Sequence, residues 1–384
     1  MRILIYEPLA DMVKAPFFSS LGTQLASEGH DVIIACEQKV IYTLQGRLTE
    51  KGVINCTSTI CAHIASNKSI RYTCFMPNNK ALYKNVSQHT LADKLNTIAR
   101  YRNSFYSQLL NEFNPDLIYI WNGQAEHQQD FVILAKNLGF KFNYLELGWF
   151  PQKNHYYIDP IGVNANSSIA NLKPYTLKKA EKDKLEQWVA EYTKPYSNID
   201  TKKKQILVPL QVDTDTNITN HSPFSNMREF IEYLELAIPD TYTVIIRPHP
   251  LAQYAYSIKS QKPNFFFNTK VELYELIAQS EYIIGINSTV LLEGICFGKK
   301  VCALGEGIIP KRSLDNFLTK NENDDLSYLL YNLIFKYQKE IILNFKKKNP
   351  VNVSRDIRLK KLNQIKVHIY KNLYKLTNYL RSVL

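Results

Sequence analysis

The apolar positions of this chain fall into two successive series of strand and helix periods, separated by a polar stretch. Ile3–Tyr6 is a short apolar run of strand type, and Phe17, Phe18, Leu21 and Leu25 follow at helical spacing, closed by Gly29-His30. Val32–Cys36 reads as the next strand. Residues 40–100 carry no clear period, and the Asn-, Lys- and Ser-rich piece from Asn67 to Lys84 is expected to be irregular. The alternation resumes with a strand at Asp116–Trp121, a helix at Gln128–Leu138 stopped by Gly139, and a strand at Phe142–Glu146. A Gly-, Pro- and Asn-rich loop is expected from Gly148-Trp-Phe-Pro151 to Gly162-Val-Asn164. A lysine-rich polar helix over about 175–195 follows, then a linker at Tyr196–Asp200.

The second series predicts strands at 205–210, 242–247, 282–286 and 300–304, with helices at 224–237, 271–279 and 289–297. Ser222-Pro223 has the residue types of an N-cap and a first helical position for the first of these helices. Two βα series of this size imply an α/β protein of two doubly wound, Rossmann-type domains, 1–195 and 201–340, facing each other across a cleft. Residues 341–384 form a third segment. Within it Leu362, Ile365, Ile369, Leu373, Leu376 and Leu380 recur at spacings of three and four, the period of an amphipathic helix.

Charge changes the picture only in that segment. From Phe345 to Leu384 there are eleven Lys or Arg against one acid, Asp356, which leaves +10 of the formal +12 in this stretch. Such a basic helix suits an anionic membrane surface, or packs back across the first domain as a crossover helix. The remaining body is nearly neutral, which argues against a nucleic-acid surface. With 45% apolar and 21% charged residues the composition is globular, and no apolar run approaches the roughly 18 residues of a membrane span. Met1-Arg-Ile-Leu-Ile-Tyr-Glu7 meets an acid too early for a signal peptide. The six cysteines lack C-x-x-C spacing. A cytoplasmic location is expected.

The candidate chemistry lies at strand ends, where parallel α/β sheets bind ligands. Ile206–Leu210 runs into Gln211, Asp213 and Asp215; the next strand ends in Arg247-Pro-His-Pro250; a third ends in Asn287-Ser-Thr289, with Glu293 one turn further on. A helix start bearing hydroxyls holds a phosphate, and a histidine neutralises it. Gln211, Asp213 and Asp215 alternate, so a continuing strand would point all three to one face. Three readings stay open for the two acids: a polar turn with a cap, a D-x-D clamp on a divalent ion, or a metal-free site in which one Asp attacks or deprotonates during glycosyl transfer. His249, held between two prolines, is a candidate for the leaving phosphate, with Arg247 beside it. In the first series, Glu146 is a candidate for acid–base work on the acceptor side, with Asn122 and Gly148 shaping that side.

Several stretches resemble, in order, the capsule polysaccharide synthesis family of bacterial glycosyltransferases, the retaining β-Kdo transferases that use CMP-Kdo. They are Phe17–His30, Tyr119-Ile-Trp-Asn-Gly123, Tyr144-Leu-Glu-Leu-Gly148 with Pro151, and Asp159-Pro-Ile-Gly-Val-Asn164. Val208–Asp215, His221-Ser-Pro-Phe224, His249-Pro250 and Asn287-Ser-Thr289 continue the match. The resemblance implies a GT-B-like fold and a glycosyltransferase, cytoplasmic or peripheral on the inner membrane, that moves Kdo to a lipid or glycan acceptor with no cofactor or metal. It makes Asp215 the carboxylate at the anomeric centre, assigns His249, Ser288 and Thr289 to the CMP phosphate, and gives Glu293 the ribose. A chain of this length resembles the single-module branch, associated with the start of the capsule linker. Two rivals remain: an inverting transferase for another CMP-linked nonulosonate such as sialic acid, and a non-catalytic, membrane-associated scaffold of the capsule machinery.

Overall fold

The structure, a computed structural model, describes residues 1–6, 15–37, 71–75, 103, 106–251, 260, 262–320 and 325–341. The chain separates into two compact units, Met1–Asn344 and Phe345–Leu384. The first carries all the described structure. The expected amphipathic helix at 362–380 lies outside the described residues.

In chain order the first lobe contains β1 (Arg2–Tyr6), α1 (Ala15–Ser27), β2 (Asp31–Glu37), β3 (Arg71–Phe75), β4 (Leu117–Trp121), α2 (Glu126–Asn137), β5 (Phe142–Leu147) and β6 (His155–Asp159). After α3 (Lys179–Thr193) the second lobe runs through β7 (Lys202–Pro209), α4 (Thr216–His221), α5 (Met227–Ala237), β8 (Thr243–Arg247) and β9 (Phe265–Phe267). It continues with α6 (Leu273–Gln279), β10 (Ser280–Gly285), α7 (Thr289–Cys296), β11 (Lys300–Ala303), α8 (Leu314–Lys320) and α9 (Ser327–Asn332). A π-helical turn, Leu333–Tyr337, then leads to β12 (Lys339–Glu340).

The seven-stranded sheet has the order β12-β6-β5-β4-β1-β2-β3 and the five-stranded sheet β11-β10-β7-β8-β9. Each contains five parallel strands in the doubly wound order, with the first strand of its series at the centre. The two doubly wound α/β series expected from the periodicity are therefore present. Two antiparallel strands, β6 and β12, extend the first sheet at one edge.

Strand alternation explains the cores. Ile206 and Val208 of β7 join a cluster with Phe230, Ile246 and Ile284 on one face, while Leu207, on the other face, joins Ile277, Ile283 and Leu291. That second cluster also includes Trp149, Phe150, Tyr157 and Leu185, so one apolar body underlies both lobes. In β1, Ile3 and Ile5 pack with the Phe17, Phe18, Leu21 and Leu25 stripe of α1; Leu4 and Tyr6 pack on the opposite face against Tyr106 and Phe131.

Four expectations are corrected. Residues 71–75, inside the stretch expected to be irregular, pair in parallel with β2 as β3. The expected loop 148–164 contains β6, which pairs back on β5. The helix expected from 224 begins at Met227 and is capped by Asn226, whose side chain accepts from Glu229 N. Ser222 instead closes its own turn, with Oγ accepting from Phe224 N at 2.9 Å. Gln211, Asp213 and Asp215 do not continue a strand, because β7 ends at Pro209.

Candidate active site

The strand order of the second sheet reverses between β7 and β10, which opens a crevice outside their carboxyl ends. Gln211 leaves β7 there and Asn287 leaves β10. Gln211 Nε2 donates to Asn287 Oδ1 at 3.0 Å. The Asn287 amide nitrogen donates to the carbonyls of Asn217 at 2.9 Å and Glu306 at 3.0 Å. One side chain thus ties together the loops after β7, β10 and β11. Ser288 caps α7, its side chain accepting from Val290 N, and Thr289 is the first helical residue. The positive end of α7 therefore starts at the crevice.

The two acids part company. Asp213 Oδ1 accepts from Met227 N at 2.8 Å, at the start of α5. Asp215 is the N-cap of α4, its Oδ1 accepting from Asn217 N at 2.8 Å, and is exposed. The two carboxylates serve two different helices rather than one shared face.

His249 follows β8. The Leu251 amide donates to its Nδ1 at 3.1 Å, so Nε2 carries the proton of the neutral ring. Burial lowers the His249 pKa, and the Asp215 carboxylate pulls it part of the way back. His249 is thus a neutral donor near pH 7 that has Asp215 as an electrostatic neighbour. Arg247, at the end of β8, spends Nη1 on Asn268 O at 3.0 Å.

In the first lobe, Asn122 and Glu146 meet at the ends of neighbouring strands: Asn122 Nδ2 donates to Glu146 Oε2 at 2.7 Å. Asn122 takes a left-handed φ of 54° just beyond β4, and its Oδ1 accepts from Gln124 N at 3.1 Å. Gly148 has a packing reason for lacking a side chain. A Cβ there would stand 2.5 Å from His155 Cβ and 2.9 Å from its backbone carbon, where β5 turns into β6.

Glu293 requires a correction. The residue is 8% exposed, with Oε2 accepting from Tyr192 OH at 2.6 Å and Oε1 from Tyr274 OH at 3.2 Å. Burial raises its pKa to about 7, against the smaller opposing effect of the two hydroxyls. With both oxygens engaged by tyrosine hydroxyls, it does not reach a ribose as the resemblance implied.

The sequence reading also passed over the turn that joins the lobes. Asp159, fully buried, accepts from Ile161 N at 2.8 Å, Gly162 N at 3.1 Å and Ser168 N at 2.9 Å, folding 159–168 into a compact turn. Gln124 Nε2 donates to Val163 O at 3.0 Å, and the Asn166 amide lies 3.4 Å from His221 Nε2. A polar path therefore runs from Glu146 through Asn122, Gln124 and this turn to His221 at the end of α4. The only sequence signal was the motif around Asp159 and His221, which carried no separate role.

Comparison with known proteins gives a family and several distant likenesses. The model of the family described as "Capsule polysaccharide biosynthesis protein" matches residues 134–339, more than half the chain. Protein FixF of Sinorhizobium fredii (strain NBRC 101917 / NGR234) is 26% identical over 217 residues, 53% of this chain and 52% of that protein. The chain thus spans about half the length of that curated relative. Among solved structures, the β-Kdo 2,7 transferase of Thermosulfurimonas dismutans KpsC superposes with a TM-score of 0.49 at 12% identity, covering 90% of this chain and 94% of that one. The β-Kdo 2,4 transferase of the same protein gives 0.46 at 12% identity, covering 59% and 82%. The family match takes in β5, the Asp159 turn and every strand end of the second sheet, and on it the chain belongs to the capsule polysaccharide biosynthesis protein family.

Proposed function

We propose that the chain is a GT-B-type glycosyltransferase that moves the sugar acid Kdo from CMP-Kdo to a lipid or glycan acceptor during capsule synthesis. The observation that carries this reading is the meeting of Gln211, Asn287 and the start of α7 at the switch point of the second sheet, with Asp215 and His249 as neighbours. In the first displacement an Asp215 oxygen attacks the anomeric carbon, the bond to the phosphate oxygen breaks, and its electron pair leaves with CMP. His249 Nε2–H donates to that departing oxygen, and Ser288, Thr289 and the α7 amides hold the phosphate. In the second displacement an acceptor hydroxyl attacks the adduct, its proton passes to Glu146, and Asp215 is released. Glu146 is oriented for this by Asn122.

The test is incubation with CMP-Kdo or CMP-sialic acid and candidate acceptors, reading CMP release and product mass. Transfer from CMP-Kdo that persists in EDTA is expected, because hydrogen-bond donors and helix amides meet the phosphate charge. Loss in EDTA restored by manganese or magnesium would favour a metal clamp, and transfer only from CMP-sialic acid would move the donor assignment. Loss of both transfers in an otherwise folded protein would leave the scaffold role.

His249→Ala should lower donor kcat/KM at least about tenfold, equivalent to about 1.4 kcal/mol of transition-state stabilisation. Acceptor KM should move little. Equal loss for donor and acceptor would make His249 a structural residue.

A further inference from the structure

The turn that joins the lobes leaves two buried polar atoms without hydrogen bonds among the described residues: His221 Nδ1 and Gln124 Oε1. Their residues are 9% and 8% exposed. A buried polar group left unpaired costs about 1–3 kcal/mol, so such groups call for a partner. The neighbouring contacts define what each atom offers. The Asn166 amide nitrogen donates toward His221 Nε2 at 3.4 Å. This leaves the neutral ring's proton on Nδ1, which is therefore an unmet donor. Gln124 uses its amide nitrogen on Val163 O at 3.0 Å, leaving its Oε1 as an unmet acceptor. Both atoms belong to residues that touch one turn, whose ends are closed on each other by Asn166 N donating to Val163 O at 3.0 Å.

Glu306 gives the sign of the missing group. Its backbone is pinned at the crevice, with its amide donating to His221 O at 2.9 Å and its carbonyl accepting from Asn287. Its carboxylate stands 3.5 Å from His221 Nδ1, yet that side chain is 69% exposed and makes no hydrogen bond to the ring. A carboxylate is thus tolerated beside Nδ1, and the one present is free to turn to solvent.

We propose that Gln124, His221 and the Val163–Asn166 turn form a subsite for a carboxylated sugar. In it His221 Nδ1 donates to the sugar carboxylate while Gln124 Oε1 accepts from a sugar hydroxyl. Glu306 swings aside as the ligand carboxylate takes its position. The inference rests on the glycosyltransferase reading but goes beyond it, since it assigns a reader for the acid group. The same chemistry is offered by the sugar of the donor and by an acidic residue of the acceptor, and kinetics separate the two. His221→Asn retains a donor near the Nδ1 position, whereas His221→Leu removes it.

The Leu variant is expected to raise KM at least tenfold for whichever substrate carries the carboxylate, with kcat within about threefold. The Asn variant should stay within about threefold of the parent in both. A fall in kcat at unchanged KM in both variants would overturn the proposal. A direct measurement uses protein labelled with nitrogen-15 in histidine, titrated with free Kdo and, separately, with glucose. The His221 ring signal, identified by its loss in the Asn variant, is expected to shift with Kdo and stay put with glucose. An equal response to both sugars, or to neither, would overturn the subsite. If the proposed transfer fails in the parent while the His221 signal still shifts with Kdo, the activity assignment falls and the subsite stands.

Discussion

Asp215→Asn is expected to lower glycosyl transfer at least about a thousandfold without loss of fold. Removing a single reacting group from a catalytic set costs about ten-thousandfold or more in well-studied hydrolases. Asn is as good an N-cap as Asp, so the hydrogen bond to Asn217 N that starts α4 survives the change. Ala in the same position would lose the cap as well, about 1 kcal/mol, and would mix a folding effect with a chemical one. Asp213→Asn is the paired control, since its oxygen can still accept from Met227 N and begin α5. It should remain active within about tenfold. Near-normal turnover by the Asp215 variant together with a dead Asp213 variant would transfer the nucleophile to Asp213.

The second large effect concerns stability rather than catalysis. Glu293 titrates from about 7 in the folded protein against 4.5 ordinarily, because burial disfavours its charge. Its folded pKa is raised, so its contribution is fully present below the unfolded value and is lost as pH rises through the folded one. Between pH 4.5 and about 7 the unfolded chain gives up this proton while the folded protein keeps it, and the fold loses up to about 3 kcal/mol. Glu293→Gln keeps the shape and a hydrogen-bonding group for Tyr192 and Tyr274 but never ionises. Urea unfolding at pH 5 and pH 8 should show the Gln variant gaining on the parent by about 2–3 kcal/mol at the higher pH. Parallel behaviour at both pH values would sink the assignment. The same carboxylate helps burial push the Tyr274 hydroxyl up to about 12.

The parts of the fold that were legible are those written in local periods. The alternation of Ile206, Leu207 and Val208 and the helical stripe Phe17, Phe18, Leu21 and Leu25 each led directly to a buried face. The strand ends bearing Gln211 and Asn287 were legible for the same reason, and the structure joins them at 3.0 Å. Long-range partners hid the rest. β6 is defined by its pairing with β5 and by Gly148 N donating to His155 O at 2.7 Å, which no periodicity encodes. α4, at six residues, is too short to show a period. Glu293 was assigned to a ribose because the tyrosine that engages it, Tyr192, lies 101 residues away in sequence. Ser222-Pro223 had the right residue types for a helix start, but Asn226 offered a cap four residues later, and Ser222 spent its hydroxyl locally.

Gln338 and β12 have a consequence for how the molecule is made. The Gln338 side chain accepts from Trp149 N and Phe150 N at 3.2 Å each and donates to Phe150 O at 3.0 Å, and β12 then zips onto β6. During synthesis from the N-terminus, the first sheet must wait for nearly two hundred further residues before this clasp emerges. Until then the outer edge of β6 keeps its backbone groups unpaired, a template for pairing with another nascent chain. The ribosome therefore delivers the second lobe while the first is still open at one side, and the last residues of the body lock what the first residues began.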